Sequence, residues 1–303
     1  MKSVRPKEES KLIADNRDQL VGIGVQGTVV SPELPPLPAS PYQIAADGNP
    51  YLLPAPGGIV YNVRLGDPAF GWLADMVQPG VSIRNPQDPA NQALNILSCL
   101  GDEALVVSGA ALGARGTVVG KSGRFAEHVI LHFGQEPLEK IALEDRVLVR
   151  ALGRSLTLKN HPEIQLKSLS PRLLDALDLK ELDDGRVGVR VRALVPAHLA
   201  GAGSGLGSEA GCVQIQSEDP EALSTNGLDG LRLGDIVAIQ DYDCRWGNGF
   251  LNGAVAVGVV VHGDSPRSGF GPGITPVMAA TDQAIVPELV ESRNLTDLLG
   301  LDS

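Results

Sequence analysis

The densest run of chemistry-bearing side chains is Gly234-Asp235-Ile-Val-Ala-Ile-Gln240-Asp241-Tyr242-Asp243-Cys244-Arg245-Trp246. A Val-rich run answers it, ending Val261-His262-Gly263-Asp264. If the two runs pair as strands, Asp241, Asp243, His262 and Asp264 are expected to gather at one end of a hairpin. Carboxylates beside an imidazole suit a general base with its orienting acid. Through Asp243 and His262 they equally suit a hard or borderline divalent ion, so a divalent metal is the one cofactor left open. The bland alternative has the aspartates closing turns and the histidine satisfied at a strand end. Cys244 beside His262 is a weaker candidate nucleophile.

Substrate-positioning groups come from two other stretches. In Asn62-Val-Arg64-Leu-Gly-Asp67-Pro-Ala-Phe-Gly-Trp72, strand alternation puts Asn62 and Arg64 on one face, and the Gly-Asp-Pro turn aims Asp67 back at them. An Arg beside an Asp either holds a carboxylate-bearing ligand by its planar fork or simply ties the turn. Farther on, His198 precedes the flexible loop Gly203-Ser204-Gly205-Leu206-Gly207, so His198, Ser204 and Gly205 are candidates for ligand contact. The late loop Ser268-Gly269-Phe270-Gly271-Pro272-Gly273 is placed to line whatever His262 forms.

Two tempting motifs fail on spacing. Gly116-Thr-Val-Val-Gly120-Lys121-Ser122 imitates a phosphate loop, but one residue too few separates its glycines. The 203–207 loop lacks the glycine spacing of a dinucleotide fingerprint, and a strand rather than a helix follows it. The segment 108–133 has the Gly/Val rhythm of a small SH3-like barrel, with Arg115, Lys121 and Arg124 as a basic rim. The chain carries 25 Lys+Arg against 36 Asp+Glu, a formal charge of −11, which argues against a nucleic-acid footprint.

The elements that must position these residues are mainly strands. With 36 Gly and 22 Pro in 303 residues, a helix bundle is excluded, while 43% hydrophobic residues suffice for a core. Short Val/Ile runs between turn residues predict a mainly β, multi-lobed fold of small barrels or a sandwich with a few short helices. Helices are expected over 89–100, capped by Asp88 with Pro89 in the first turn, and from Ser170-Pro171 to Gly185. The expected organisation is an N-terminal arm and proline-rich wrap (1–56), a first β lobe (57–168), a second β lobe (169–281) and an acidic C-terminal tail (282–303) with a short Leu-rich docking helix. Three sparse cysteines, no apolar leader and no apolar run of spanning length point to a cytoplasmic protein with no membrane partner.

The ordered words YNVRLGDPAFGW, PGVSI, SGAALGARGTVVGK with EHVILHF, GSGLG, GDIVAIQDYD and GAVAVGVVVHGDS with GPGIT resemble an uncharacterised prokaryotic family, domain of unknown function 4438. The resemblance runs from about residue 20 to 280. It implies a mainly β, multi-lobed homo-oligomer and brings no established reaction. In the family pattern the glycine turn carries an Asp and a His-Gly-Gly where this chain has Ala110 and Ser122-Gly123-Arg124. The late loop carries His-Gly-Pro-Gly where this chain has Phe270-Gly271-Pro272-Gly273. One expectation is an enzyme that hydrolyses or eliminates on a small polar ligand through the Asp/His set. The other is a non-catalytic small-ligand binder or oligomeric assembly protein that has lost the family's histidines.

Overall fold

The computed structural model describes residues 13–32, 42–54, 56–122, 127–203, 209 and 211–301. The candidates Ser204, Gly205 and Arg124 lie outside the described residues. The first lobe holds β1 (Ile23–Val29), β2 (Gln43–Ile44), β3 (Pro50–Tyr51), β4 (Ile59–Val60), β5 (Gly80–Arg84), β6 (Glu103–Val106), β7 (Arg115–Ser122), β8 (His128–His132) and β9 (Arg146–Ala151). Antiparallel pairing runs β1-β9-β6-β7-β8-β5, and β5 pairs back onto β1, so six strands close a barrel. Alternation explains why these sequences do this. In β9 Val147, Val149 and Ala151 point inward, while Arg146 and Arg150 face solvent. Helix α1 (Asp88–Leu97) packs on β1 and buries Leu94. The chain caps it at Gln87 and stops it at Ser98, three residues short of the glycine expected to end it.

The second lobe holds β10 (Gln165–Leu166), β11 (Lys180–Glu181), β12 (Val187–Val191), β13 (Ala193–Val195), β14 (Val213–Gln214), β15 (Ile236–Asp243), β16 (Gly249–His262), β17 (Gly273–Ala280) and β18 (Ile285–Leu289). Its main sheet runs β10-β17-β16-β15-β13, with β14 on the same β17 edge as β10. All of β17 and the last nine residues of β16 are buried. A strand covered on both faces needs no polar alternation, which is why 254–261 reads as an unbroken apolar run.

Two sequence expectations change here. The helix opening at Ser170 is α3 (Pro171–Leu177); Ser170 caps it by accepting from the Leu173 N–H at 3.2 Å. It ends where Asp178 turns left-handed at φ 48°, so Gly185 belongs to the following β11–β12 turn. The docking helix expected in the acidic C-terminal segment is present, and the segment adds a strand that the sequence reading lacked. It supplies β18, parallel to β12, and helix α5 (Leu295–Leu299), whose Leu295 and Leu299 are buried against α3.

The lobes meet along β7. Val118 belongs to the barrel core and Val119 to the larger second core. Gly120 permits this, since a Cβ there would lie 2.5 Å from Val261 Cβ. The expected basic rim is therefore wrong at its centre. Lys121 is fully buried in the seam between the lobes, and Arg115 is spent on Glu103 at the surface.

Candidate functional site

The four residues expected together do not meet. In an antiparallel hairpin the end of the first strand lies beside the start of the second, not beside its end. Asp243 pairs with Gly249, whereas His262 lies thirteen positions on, roughly 40 Å along the strand. Asp241 occupies the β-bulge between Gln240 and Tyr242, at φ 51°, and accepts from the Gly253 N–H at 2.7 Å. Asp243 is clamped bidentately by Arg245, with both bonds 3.0 Å. Burial works against its charge, but the Arg245 guanidinium outweighs this and holds the carboxyl below its usual value. Cys244 shares that end, so it is no neighbour of His262; burial pushes its thiol up to about 12. Asp243 and His262 cannot share a metal ion. Among the described residues no three His, Cys, Asp or Glu side chains converge as metal ligands.

In the substrate-positioning set, Arg64 and Asp67 are tied to near neighbours. Arg64 donates to Gln135, and the Arg64 N–H donates 2.8 Å to Asp67 Oδ2, closing the turn on itself. Asn62 and His198 are exposed. Arg64 and Asp67 thus make the local tie that stood as the alternative to holding a ligand.

His262 has a different partner. Its strand β16 lies on one side of β17 and β14 on the other, with His262 and Gln214 both opposite Gly273. Gly273 has no side chain, so the imidazole lies directly over its Cα; a Cβ there would sit 2.0 Å from Nε2. The ring crosses β17 and its Nε2 comes 3.4 Å from Cys212 Sγ, just before β14. On the other side Nδ1 lies 2.9 Å from the Gly263 carbonyl oxygen. A carbonyl only accepts, so Nδ1 carries the proton and Nε2 presents its lone pair to the sulfur. Both residues are buried, His262 completely. Burial alone disfavours the imidazolium; the Cys212 sulfur, the Gly263 carbonyl and Asp75 outweigh it and hold His262 above its ordinary pKa.

A polar wall stands beside the pair. Backbone bonds from Gly263 to Val77, from Asp264 to Ala69 and from Met76 to Asp264 lock the 263–265 turn onto the 69–77 segment. Asp75, nearly inaccessible, accepts from Tyr51 Oη at 2.9 Å, Ser265 Oγ at 2.7 Å and Arg267 at 2.9 Å. Asp264 accepts from Ser217 Oγ and the Ser265 N–H; burial nonetheless raises its pKa. Arg267 stacks on Phe270, 4.9 Å from the ring centroid. Of the expected catalytic residues, then, His262 and Asp264 share a region, and Asp241 and Asp243 do not. Cys212, Asp75, Tyr51, Ser217 and Arg267 were missed. The available signal for Cys212 was a glycine opposite the histidine, which becomes readable only once the register is known.

A groove of about 490 Å³ lies elsewhere, between the barrel and the start of α3. Ile23, Ala151 and Leu152 line it, with Arg150 and Arg172 at its edge. It has no reactive pair. No described helix is long and apolar enough to cross a membrane.

Comparison with known proteins agrees with the sequence resemblance. Residues 42–175 match the N-terminal and residues 176–299 the C-terminal model of a domain of unknown function, DUF4438. The chain belongs to that family. Among solved structures it is similar to the crystal structure of TM1086, with 39% identity, a TM-score of 0.88, and coverage of 94% of this chain and 98% of that one. No curated protein matches.

Proposed function

We propose that this family member is an enzyme acting on a small polar substrate by hydrolysis or elimination, with Cys212 and His262 as its reactive pair. The observation that carries the reading is the 3.4 Å approach of Cys212 Sγ to Nε2 of His262, whose Nδ1 faces a carbonyl. Of the arrangements an imidazole adopts, this tautomer is the one that takes a thiol proton. In hydrolysis Nε2 takes that proton, the sulfur attacks the substrate's carbonyl carbon, and the imidazolium returns the proton to the leaving group. Water, deprotonated by the same nitrogen, then cleaves the thioester and restores the thiol. In elimination the pair serves as base alone. Asp75 supports the imidazolium electrostatically, and Tyr51, Ser217 and Arg267 offer polar groups for orientation.

A second reading has its own observation. His262 is wholly inaccessible, which favours a non-catalytic ligand binder. The same proposal takes the protein as a cytoplasmic homo-oligomer. Free buried cysteines support the compartment, and the exposed Val21, Ile23 and Leu152 beside the apolar groove support self-association. Sedimentation of the purified chain tests the latter: a monomer at micromolar concentration refutes it.

The catalytic reading is tested by iodoacetamide labelling of the full chain, followed by peptide mass. Cys212 should react at least tenfold faster than Cys99 and Cys244, both pushed up to about 12 by burial, and His262→Asn should erase that advantage. Equal labelling of Cys212 with and without His262 excludes the reactive pair and leaves the binder.

A further inference from the structure

The seam between the lobes holds two lysines with almost no solvent contact, Lys121 and Lys167. Two cations share one carboxylate there, and a third lies beside them without one. Glu209 accepts from Lys167 Nζ at 2.9 Å and from Arg154 at 2.5 Å. Lys121 has no carboxylate within ion-pair distance among the described residues. Its Nζ donates to two neutral acceptors, Ser168 Oγ at 2.9 Å and the Glu209 carbonyl at 3.2 Å. An ammonium has three N–H donors, so one is left over. Lys167 also donates to the Arg245 carbonyl and lies 5.6 Å from the Trp246 ring centroid.

Burying a cation without a counterion costs several kcal/mol, roughly, and folds avoid it unless an anion completes the site. This seam lies inside a chain of net charge −11, where carboxylates are plentiful. Yet among the described residues Glu209 alone forms an ion pair with these cations, and it comes from the short stretch leading to Cys212. Its side chain keeps 24% of its surface exposed and Arg154 44%, so the carboxylate position is reached from solvent although the amines are not.

We propose that Lys121, Lys167, Arg154 and Ser168 form a binding site for a small carboxylate, and that the Glu209 carboxylate occupies it in this structure. Glu209 is the stand-in: it shows the site holding a carboxylate between an ammonium and a guanidinium. A free carboxylate in its place takes the same two partners and the spare N–H of Lys121. The pull of burial on Lys121, whose pKa falls to about 8, fits a site that lacks part of its negative charge. Asp102, the other acid near Lys121, is itself pushed up to about 7 by burial and is tied to the Cys99 and Leu152 N–H groups, so it is no substitute. The site does not depend on the Cys212–His262 pair.

The test is thermal unfolding of the full chain in sodium acetate against sodium chloride and sodium phosphate at equal ionic strength. Glu209→Ala removes the carboxylate and opens the space it fills between the cations. That variant should be stabilised by acetate over chloride and bind it on the order of tenfold more tightly than wild type. Adding Lys167→Met should abolish the effect, and Cys212→Ser should leave it intact. Acetate acting no differently from chloride, acetate stabilisation surviving Lys167→Met, or phosphate outperforming acetate overturns the proposal. If the variants do not fold, the wild-type chain still decides. The Lys121 amine, followed by NMR of the labelled lysine, should titrate at least about one unit higher in acetate; an unmoved titration overturns it.

Discussion

Gly273→Ala is the sharpest perturbation of the site, because it touches nothing chemical. The added Cβ would stand 2.0 Å from His262 Nε2 and 2.4 Å from Cδ2, against an ordinary contact of 3.4 Å or more. The ring must therefore move by about 1.4 Å. It is rigid, fully buried and held at both ends, so either the 2.9 Å bond to the Gly263 carbonyl or the 3.4 Å approach to Cys212 is lost. Overpacking costs about 1–3 kcal/mol and a broken buried hydrogen bond about as much again, so the expected loss is about 3 kcal/mol. That is a large share of the roughly 5–15 kcal/mol that holds a domain folded. Urea unfolding measures it, with Gly249→Ala as the control, since a Cβ there meets nothing within 4 Å. Labelling of Cys212 by iodoacetamide gives the second readout and should lose its His262 dependence. A Gly273→Ala protein within about 0.5 kcal/mol of wild type, with unchanged labelling, would show that the imidazole does not cross β17 as described.

Gly120→Ala should cost about 2 kcal/mol in the same assay, because its Cβ meets Val261 across the lobe seam at 2.5 Å and both sides are backbone-bound strands. His128 is buried with Nδ1 3.1 Å from Gln78 Oε1, and burial pulls its pKa down from 6.5 to about 4. The unfolded chain takes up that proton first, so stability is lost as the pH falls from 6.5 toward 4, by about 3 kcal/mol in all. Comparing wild type with His128→Asn in urea at pH 7 and pH 4.5 isolates this slope; equal slopes contradict it. Arg245→Met should release Asp243 toward an ordinary carboxyl pKa at a cost below about 1 kcal/mol, because the pair is partly solvated. It should leave Cys212 labelling untouched, since it sits at the far end of the hairpin.

The strand content and the helix starts were legible for physical reasons that act locally. Val147, Val149 and Ala151 alternate with arginines because one face of β9 is wet, and that alternation is written in the sequence. Ser170-Pro171 announces α3 because a helix start needs an acceptor for its free N–H groups and tolerates a residue without one. The end of α3 was misjudged: leucines recur from Leu173 to Leu182, but Asp178 turns left-handed and the chain leaves the helix. Lys121 was misjudged for a similar reason. A lysine after glycine looks like a rim residue, and only the packing of β7 against β16 makes it interior.

The site was less legible. The sequence by itself determined that strands would carry His262 and that a carboxylate, Asp264, would follow it at a turn. It also determined that this mainly β chain belongs with its family, because the ordered motifs survive along the whole length. Register and strand order were decided only in three dimensions. They sent Asp241 and Asp243 to the far end of the hairpin, and they set β14 and β16 on either side of Gly273. A cysteine fifty positions from its histidine becomes its neighbour because two strands flank a third that has no side chain between them, and that relation has no local trace in the sequence.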